Sequence, residues 1–215
     1  MVVILVVGGA QAPLPSFVSL DPDVAVIVPA DLAQSGWRLS DGLPPPTLPP
    51  SFPPAMALTG ILCRLVRVTE ADLPSIHLDE REYVASEMTA FLAAFLSQLE
   101  ARTLNEPNPA NLAGPPFSQE RWLRLASDLG LDVCRQCQGA SDEMVCIGSQ
   151  VLCVDGSSPR YQRRDAIRAL SISTRVSHFG VAFCSEHPSS ITAVSCQPSL
   201  TVEVWRALRQ HLGGR

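Results

Sequence analysis

Continuous apolar runs bounded by turn-forming residues predict several buried strands in the first third of the chain. Residues 2–7 (VVILVV), 24–28 (VAVIV) and 58–68 (LTGILCRLVRV) have the length and β-branched content of strands that are buried on both faces, as in parallel sheets. Residues 37–39 predict a further, very short strand. The proline-dense stretch 42–54 cannot enter a helix or a sheet interior, and we interpret it as a surface loop, with a polyproline ligand for a partner as the alternative.

Two later segments have the spacing of apolar residues that is typical of helices. In residues 78–102 apolar side chains recur at intervals of three and four, with acidic residues at the start and Arg102 at the end, which suits the helix dipole. In the next segment Ser118 provides an N-cap and Gly130 a C-terminal stop. We therefore predict two amphipathic helices here.

The last third of the chain changes character, from strand–helix alternation to hairpins. The elements expected there are two short strands around a Gly148-Ser149 turn, a helix over 161–176, a hairpin over 178–200 and a final helix that begins near 200. We predict an α/β protein with two lobes, residues 1–132 and 133–215.

Composition narrows the class of protein. The 215-residue chain is 46 % hydrophobic and 17 % charged, which is typical of a folded globular protein. Its net charge of −5 gives no reason to expect a nucleic-acid partner. The apolar runs are too short for a membrane span or a signal peptide, so we expect a cytoplasmic protein with mostly reduced cysteines. The sequence contains no lysine, which excludes Schiff-base chemistry and a lysine contact to a nucleotide phosphate.

The order of several segments matches a known pattern. "GILCRLVRV", "DEREYVASEMTAFLAAFLSQL" and "LNEPNPANLAGPPFSQERWLRLASDLGL" follow one another, and the tail continues with "VCIGSQVLCVDG", "YQRRDAIRAL", "FGVAFCSE" and "AVSCQPSL". This order resembles bacterial ATP-grasp ligases, in particular the glutathione-synthetase-like enzymes that modify peptides. The resemblance implies a Rossmann-like pre-ATP-grasp lobe followed by a truncated ATP-grasp lobe.

The same resemblance identifies what this chain lacks. ATP-grasp enzymes hold Mg²⁺ with an acid on the first strand of the last hairpin and with an acid and an asparagine on the second. Those positions are matched here by Ala182, Ala193 and Ser195. The glycine-bearing lid with its lysines is also missing after Gly130. We interpret the chain as a degenerate ATP-grasp protein with no catalytic residues and no expected cofactor.

The cysteines support a competing interpretation. Cys134, Cys137, Cys146 and Cys153 could supply four thiolates to a structural zinc ion. The second pair is spaced by seven residues and lies on predicted strands, where cysteine is often a small buried apolar residue. A dithiol redox role for the CxxC pair, or a cysteine nucleophile on the last hairpin, is less well supported because nothing nearby would activate the thiol.

Arginines on one predicted helix are candidates for anion recognition. Arg160, Arg163, Arg164 and Arg168 could bind an acidic peptide or phosphate, and a solvated helix face is the alternative. The favoured function is a non-catalytic ATP-grasp-like subunit of a biosynthetic system, which binds a peptide or a partner enzyme such as an active ligase, as a homo- or hetero-oligomer. The alternatives are a ligase component completed in trans by another chain and a zinc-binding module.

Overall fold

The computed structural model describes residues 4–9, 14–40, 46–135, 140–155 and 161–213. These residues form two compact units. One unit contains the described residues up to Pro115 together with those from Leu212 onward, and the other runs from Pro116 to His211. The first unit holds a parallel sheet and the second an antiparallel sheet, so the α/β prediction is confirmed.

The first unit is built on a four-stranded parallel sheet of order β2-β1-β3-β4. Its elements are the strands β1 (Ile4–Val7), β2 (Val24–Ile27), β3 (Gly60–Cys63) and β4 (Arg102–Leu104) and the helices α1 (Ser16–Ser19) and α2 (Arg81–Ser97). β1 and β3 are buried along their whole length, as their continuous apolar sequences predict. The chain continues to β2 on one side of β1 and to β3 on the other, which is the strand order of doubly wound sheets.

The core of this unit lies between the sheet and α2. Leu5 and Ile61 of the central strands pack in one cluster with Leu92 and Phe95 of the helix. Trp37 joins this core edge-on to Phe95, with ring centroids 5.1 Å apart. The helical spacing read from residues 78–102 therefore identified most of the buried face of α2. The helix is shorter than predicted, since it ends at Ser97 and Arg102 belongs to β4.

Two details of the first unit differ from the sequence prediction. The strand expected at residues 37–39 is absent, and Arg38 forms only an isolated antiparallel bridge with Thr47. Prolines 49 and 50 lie against Gly36, and proline has no N–H to continue a ladder. The strand β4 was missed because its three residues, with the sequence RTL, form no apolar run.

The second unit contains an antiparallel sheet of order β6-β5-β7-β8. Its elements are α3 (Gln119–Asp128), β5 (Ala140–Ile147), β6 (Gln150–Cys153), α4 (Tyr161–Thr174), β7 (His178–Cys184), β8 (Ile191–Ser195) and α5 (Val202–Gly213), of which the last two residues are counted in the first unit. The predicted cap of α3 is confirmed, since the Arg121 N–H donates to Ser118 Oγ at 3.3 Å. α3 packs with this sheet, so the boundary between units falls before α3, whereas the predicted boundary near residue 132 falls after it.

One face of the second sheet forms a second hydrophobic core. Phe179 stacks on Trp122 of α3 with ring centroids 5.7 Å apart, and Ile167 and Leu170 of α4 complete the cluster. Phe179, Ile167 and Leu170 are fully buried. Across the described residues, no helix has both the length and the apolar character that crossing a bilayer requires.

Candidate functional site

The positions matched to magnesium ligands lie together on the face of the second sheet opposite its core. Ala182 of β7 pairs directly with Ala193 of β8, and Gly180 pairs with Ser195. Directly opposed residues of antiparallel strands point to the same face, and so do residues two apart on one strand. Ala182, Ala193 and Ser195 therefore lie on one patch, as the resemblance requires. This patch is the candidate site.

A carboxylate from the neighbouring strand completes the row. Glu143 of β5 pairs with Ala182, so Glu143, Ala182 and Ala193 follow one another across three strands. The Glu143 carboxylate accepts hydrogen bonds from the Ser199 N–H at 3.0 Å and from Ser199 Oγ at 2.5 Å. Both of its oxygens are thereby engaged by the segment that follows β8.

Gly180 allows this arrangement to form. A Cβ atom at Gly180 would lie 2.6 Å from Glu143 Oε1 and 2.8 Å from Pro198 Cβ, both too close for a side chain. The carboxylate and Pro198 thus cover the backbone of β7 where the row of the candidate site crosses it. Glycine is required here for close approach rather than for an unusual φ angle.

These residues do not fit the phosphate-bridging Mg²⁺ that the fold implies. Magnesium needs hard oxygen ligands, and the methyl groups of Ala182 and Ala193 supply none. Ser195 Oγ accepts a hydrogen bond from the Gln197 N–H at 3.0 Å. Among the described residues, no group of three or more histidine, cysteine, aspartate or glutamate side chains is arranged to hold a metal.

The cysteines of the zinc hypothesis are placed in two environments. Cys146 and Cys153 lie on paired strands with their side chains in or against the second core, as expected for buried apolar residues. Burial raises the pKa of the Cys146 thiol to about 11, so that it is neutral near pH 7. Cys134 is disulfide-bonded, whereas zinc binds a thiolate, and Cys137 lies outside the described residues. Whether zinc binds stays a prediction.

The disulfide is the main surprise among the cysteines. Cys134 and Cys184 are both disulfide-bonded. The free cysteines in the described part of the chain are Cys63, Cys146, Cys153 and Cys196. If Cys134 or Cys184 were bonded to Cys137, no cysteine would remain to pair with the second of the two. We therefore infer that Cys134 and Cys184 are bonded to each other. Cys184 therefore does not carry a nucleophilic thiol in this state, and burial raises the pKa of the Cys196 thiol to about 11.

The arginines of α4 make contacts within their own unit. Arg163 donates to Asp142 Oδ2 at 2.9 Å and to the Pro188 carbonyl, and its guanidinium lies 4.3 Å from the centroid of the Phe183 ring. Arg168 Nε donates to the Ser149 carbonyl at 3.2 Å. Arg164 is half-buried, and Arg160 lies outside the described residues. Arg163 and Arg168 thus have structural contacts, and anion binding by this helix stays a prediction.

Sequence reasoning missed Glu143. Its position before the apolar run Met144–Ile147 shows only that it starts a strand. Its role depends on β5 pairing with β7 rather than only with its sequence neighbour β6, and that long-range pairing has no local signal. Ser199 belongs to the Pro-Ser-Leu stretch that matches the ATP-grasp pattern, but its contact with Glu143 could not be read from the sequence.

Several solved structures have a fold similar to that of this chain. The macrocyclase MdnC from Microcystis aeruginosa MRC, bound with precursor peptide MdnA, matches with a TM-score of 0.67 and 9 % identity over 99 % of both chains. The ATP-grasp ligase PsnB complexed with minimal precursor matches with a TM-score of 0.66 and 12 % identity over 93 % of this chain and 91 % of that one.

A third match comes from Chryseobacterium gregarium. Its RiPP-associated ATP-grasp ligase, in complex with ADP and a leader and core peptide, has a TM-score of 0.66 and 12 % identity over 99 % of this chain and 96 % of that one. No family model and no curated protein matches the sequence. The resemblance to peptide-modifying ATP-grasp ligases is therefore confirmed at the level of the fold.

Proposed function

We propose that this protein is a non-catalytic ATP-grasp-like subunit that binds a peptide or a partner enzyme in a peptide-modifying system. The observation that carries the proposal is the row Glu143–Ala182–Ala193 on the face of the second sheet opposite its core. Two of the three matched ligand positions have no polar atom, and the neighbouring carboxylate is bonded to Ser199. A fold that retains its core but lacks these groups retains a surface for binding rather than the chemistry.

Peptide engagement is supported by the solved neighbours. MdnC is bound with a precursor peptide, PsnB is complexed with a minimal precursor, and the Chryseobacterium gregarium ligase is in complex with a leader and core peptide. The present chain has their fold over nearly its whole length. We infer that it uses this fold to bind a peptide of the same kind, without the nucleotide-dependent step.

The test is a binding titration with defined peptides. Synthetic peptides that span the small open reading frames beside the gene are titrated into the purified protein, with and without ATP and Mg²⁺. The proposal expects binding of at least one peptide with an affinity that ATP and Mg²⁺ leave unchanged. Peptide binding that requires ATP and Mg²⁺ would show that the chain binds the nucleotide and would contradict the proposal, and formation of ADP in the presence of the peptide would show that the chain is an enzyme. Binding of none of the peptides would refute the peptide part of the proposal.

A further inference from the structure

Two separate sets of hydrogen bonds cover the outer edge of β8, and each is called a closure below. At Ile191, the backbone N–H donates to the Asp132 carbonyl at 2.8 Å, and the Ile191 carbonyl accepts from the Cys134 N–H at 2.9 Å. Further along, the side-chain amide of Gln119 donates to the Thr192 carbonyl at 2.9 Å and accepts from the Val194 N–H at 3.3 Å. An uncovered strand edge would be open to pairing with another chain, so both closures protect it.

The disulfide lies at the first closure. Val133 forms a parallel bridge with Ile191, and Cys134 follows it directly. Cys184, at the end of β7, donates its N–H to the Ser190 carbonyl at 2.9 Å, next to Ile191. The bond between Cys134 and Cys184 therefore fastens residues 132–134 to the end of the hairpin. The Gln119 closure has no covalent link of this kind.

We propose that the Cys134–Cys184 disulfide is a redox modification site. A small thiol or a dithiol protein reduces it, and the reduction releases residues 132–134 from the edge of β8. Disulfides of proteins in reducing compartments are usually transient, catalytic or redox-sensing rather than structural, and the inference rests on the expected cytoplasmic location. This inference is independent of the proposed function, since it concerns the edge of β8 and not the candidate site.

The different burial of the two cysteines determines which of them a reductant attacks first. Cys134 is half-exposed and Cys184 is fully buried, so an incoming thiolate reaches the sulfur of Cys134. Its attack forms a mixed disulfide with Cys134 and breaks the S–S bond, and the bond's electron pair passes to Cys184 Sγ. The His187 N–H, 3.3 Å from that sulfur, faces the charge that develops there.

A second thiol completes the reduction. Its thiolate attacks the reductant's sulfur in the mixed disulfide, the S–S bond to Cys134 breaks, Cys134 leaves as a thiolate, and the two reductant sulfurs form a disulfide. Two electrons pass from the two reductant thiols to the protein, and two protons finish on Cys134 and Cys184. Residues 132–134 are then held to Ile191 by two backbone hydrogen bonds and no covalent bond, so local opening becomes much more frequent.

The first measurement counts thiols. Protein that is quenched in acid and alkylated under denaturing conditions should show five reactive thiols before reduction and seven after it, since the chain has seven cysteines and one bond. Cys137→Ser is the matched control and should retain the bond, whereas Cys134→Ser should lose it. Seven reactive thiols in the unreduced protein, or a bond lost in Cys137→Ser, would overturn the proposal.

The second measurement follows hydrogen exchange of single amides by NMR. On reduction of the wild-type protein, the amides of Ile191 and Cys134 should exchange at least tenfold faster, while that of Val194, held by Gln119, should not change. Reduced wild-type protein gives this result even where Cys134→Ser fails to fold. Equal exchange at Ile191 before and after reduction would show that the bond controls nothing at this edge.

Discussion

The two faces of the second sheet have very different contents, although the same strands build both. On the core face, Met144, Phe179 and Val181 are fully buried against the helices. On the opposite face, one residue along each strand, Val145 and Ile147 are also fully buried, but the row of the candidate site holds Glu143, Gly180 and Ala182. The alternation of side chains along a strand lets the two faces change independently.

The difference shows why residues at the matched ligand positions can vary without a change of fold. Much of the stability of this unit comes from burying large apolar side chains, and the row Glu143–Ala182–Ala193 supplies none of them. Replacing a surface acid by alanine on the other face removes no core contact, so it has little cost in folding free energy. The resemblance in fold therefore says little about chemistry, and each face must be tested separately.

The largest change in the free energy of unfolding is expected from truncating a side chain on the core face. Phe179→Ala removes a fully buried ring that stacks on Trp122, and it should lower the free energy of unfolding by about 3–5 kcal/mol. The matched control on the opposite face, Ala193→Ser, should change it by less than about 0.5 kcal/mol. Urea unfolding of both variants measures the contrast. Comparable losses in the two variants would contradict the claim that the core face contributes more to the free energy of unfolding than the row of the candidate site.

Removing the disulfide should come next in magnitude. The bond between Cys134 and Cys184 closes a loop of about 50 residues, and its loss should lower the free energy of unfolding by at most about 4 kcal/mol through the entropy of the unfolded chain. Cys134→Ser and Cys184→Ser should lose similar amounts without a reductant, and Cys137→Ser should lose little. If adding a reductant leaves the stability of the wild-type protein unchanged, the bond does not contribute to it.

A smaller effect is expected at the candidate site. The two hydrogen bonds from Ser199 to the Glu143 carboxylate are charge-assisted, and Glu143→Gln or Ser199→Ala should each lower the free energy of unfolding by about 1 kcal/mol. The double variant should be scarcely worse than either single one, because both remove the same contact. Fully additive losses would show that the two residues act independently.

The smallest effect is a pH dependence from the core face. Burial raises the pKa of Cys146 from 9.0 to about 11, so above pH 9 the unfolded chain loses a proton that the folded protein retains. The free energy of unfolding should therefore fall as the pH rises from about 9 to 11, and this thiol should contribute less than about 1 kcal/mol at pH 9.5. Cys146→Ala should have a shallower decline than wild type in urea unfolding between pH 8 and 10. Identical slopes would place this thiol in a solvated environment.

Local patterns in the sequence predicted most of the elements. The apolar runs identified β1, β2 and β3, and helical spacing identified α2 and α3. These signals are local because burial of one element shows in its own residues. The short strand β4 escaped because three residues with the sequence RTL bury too little to leave such a pattern.

The contents of the site were predictable only in part. Strand pairing in a hairpin follows from the sequence order, so the common patch of Ala182, Ala193 and Ser195 could be anticipated, whereas their match to magnesium ligands stays a prediction. Glu143 and the disulfide depend on contacts between distant segments. Cys134 has Cys137 as its sequence neighbour, yet the fold brings it to Cys184, and no spacing rule indicates that pairing.

The most direct test of the central claim is calorimetric titration of the protein with ATP and Mg²⁺. The wild-type protein is compared with the variant Ala182→Asp, Ala193→Glu, Ser195→Asn, which introduces the acids and the asparagine of the ATP-grasp pattern. We expect no magnesium-dependent ATP binding by the wild-type protein, because its candidate site lacks the oxygen ligands that the metal needs. Micromolar, magnesium-dependent binding of ATP by the wild-type protein would contradict the account.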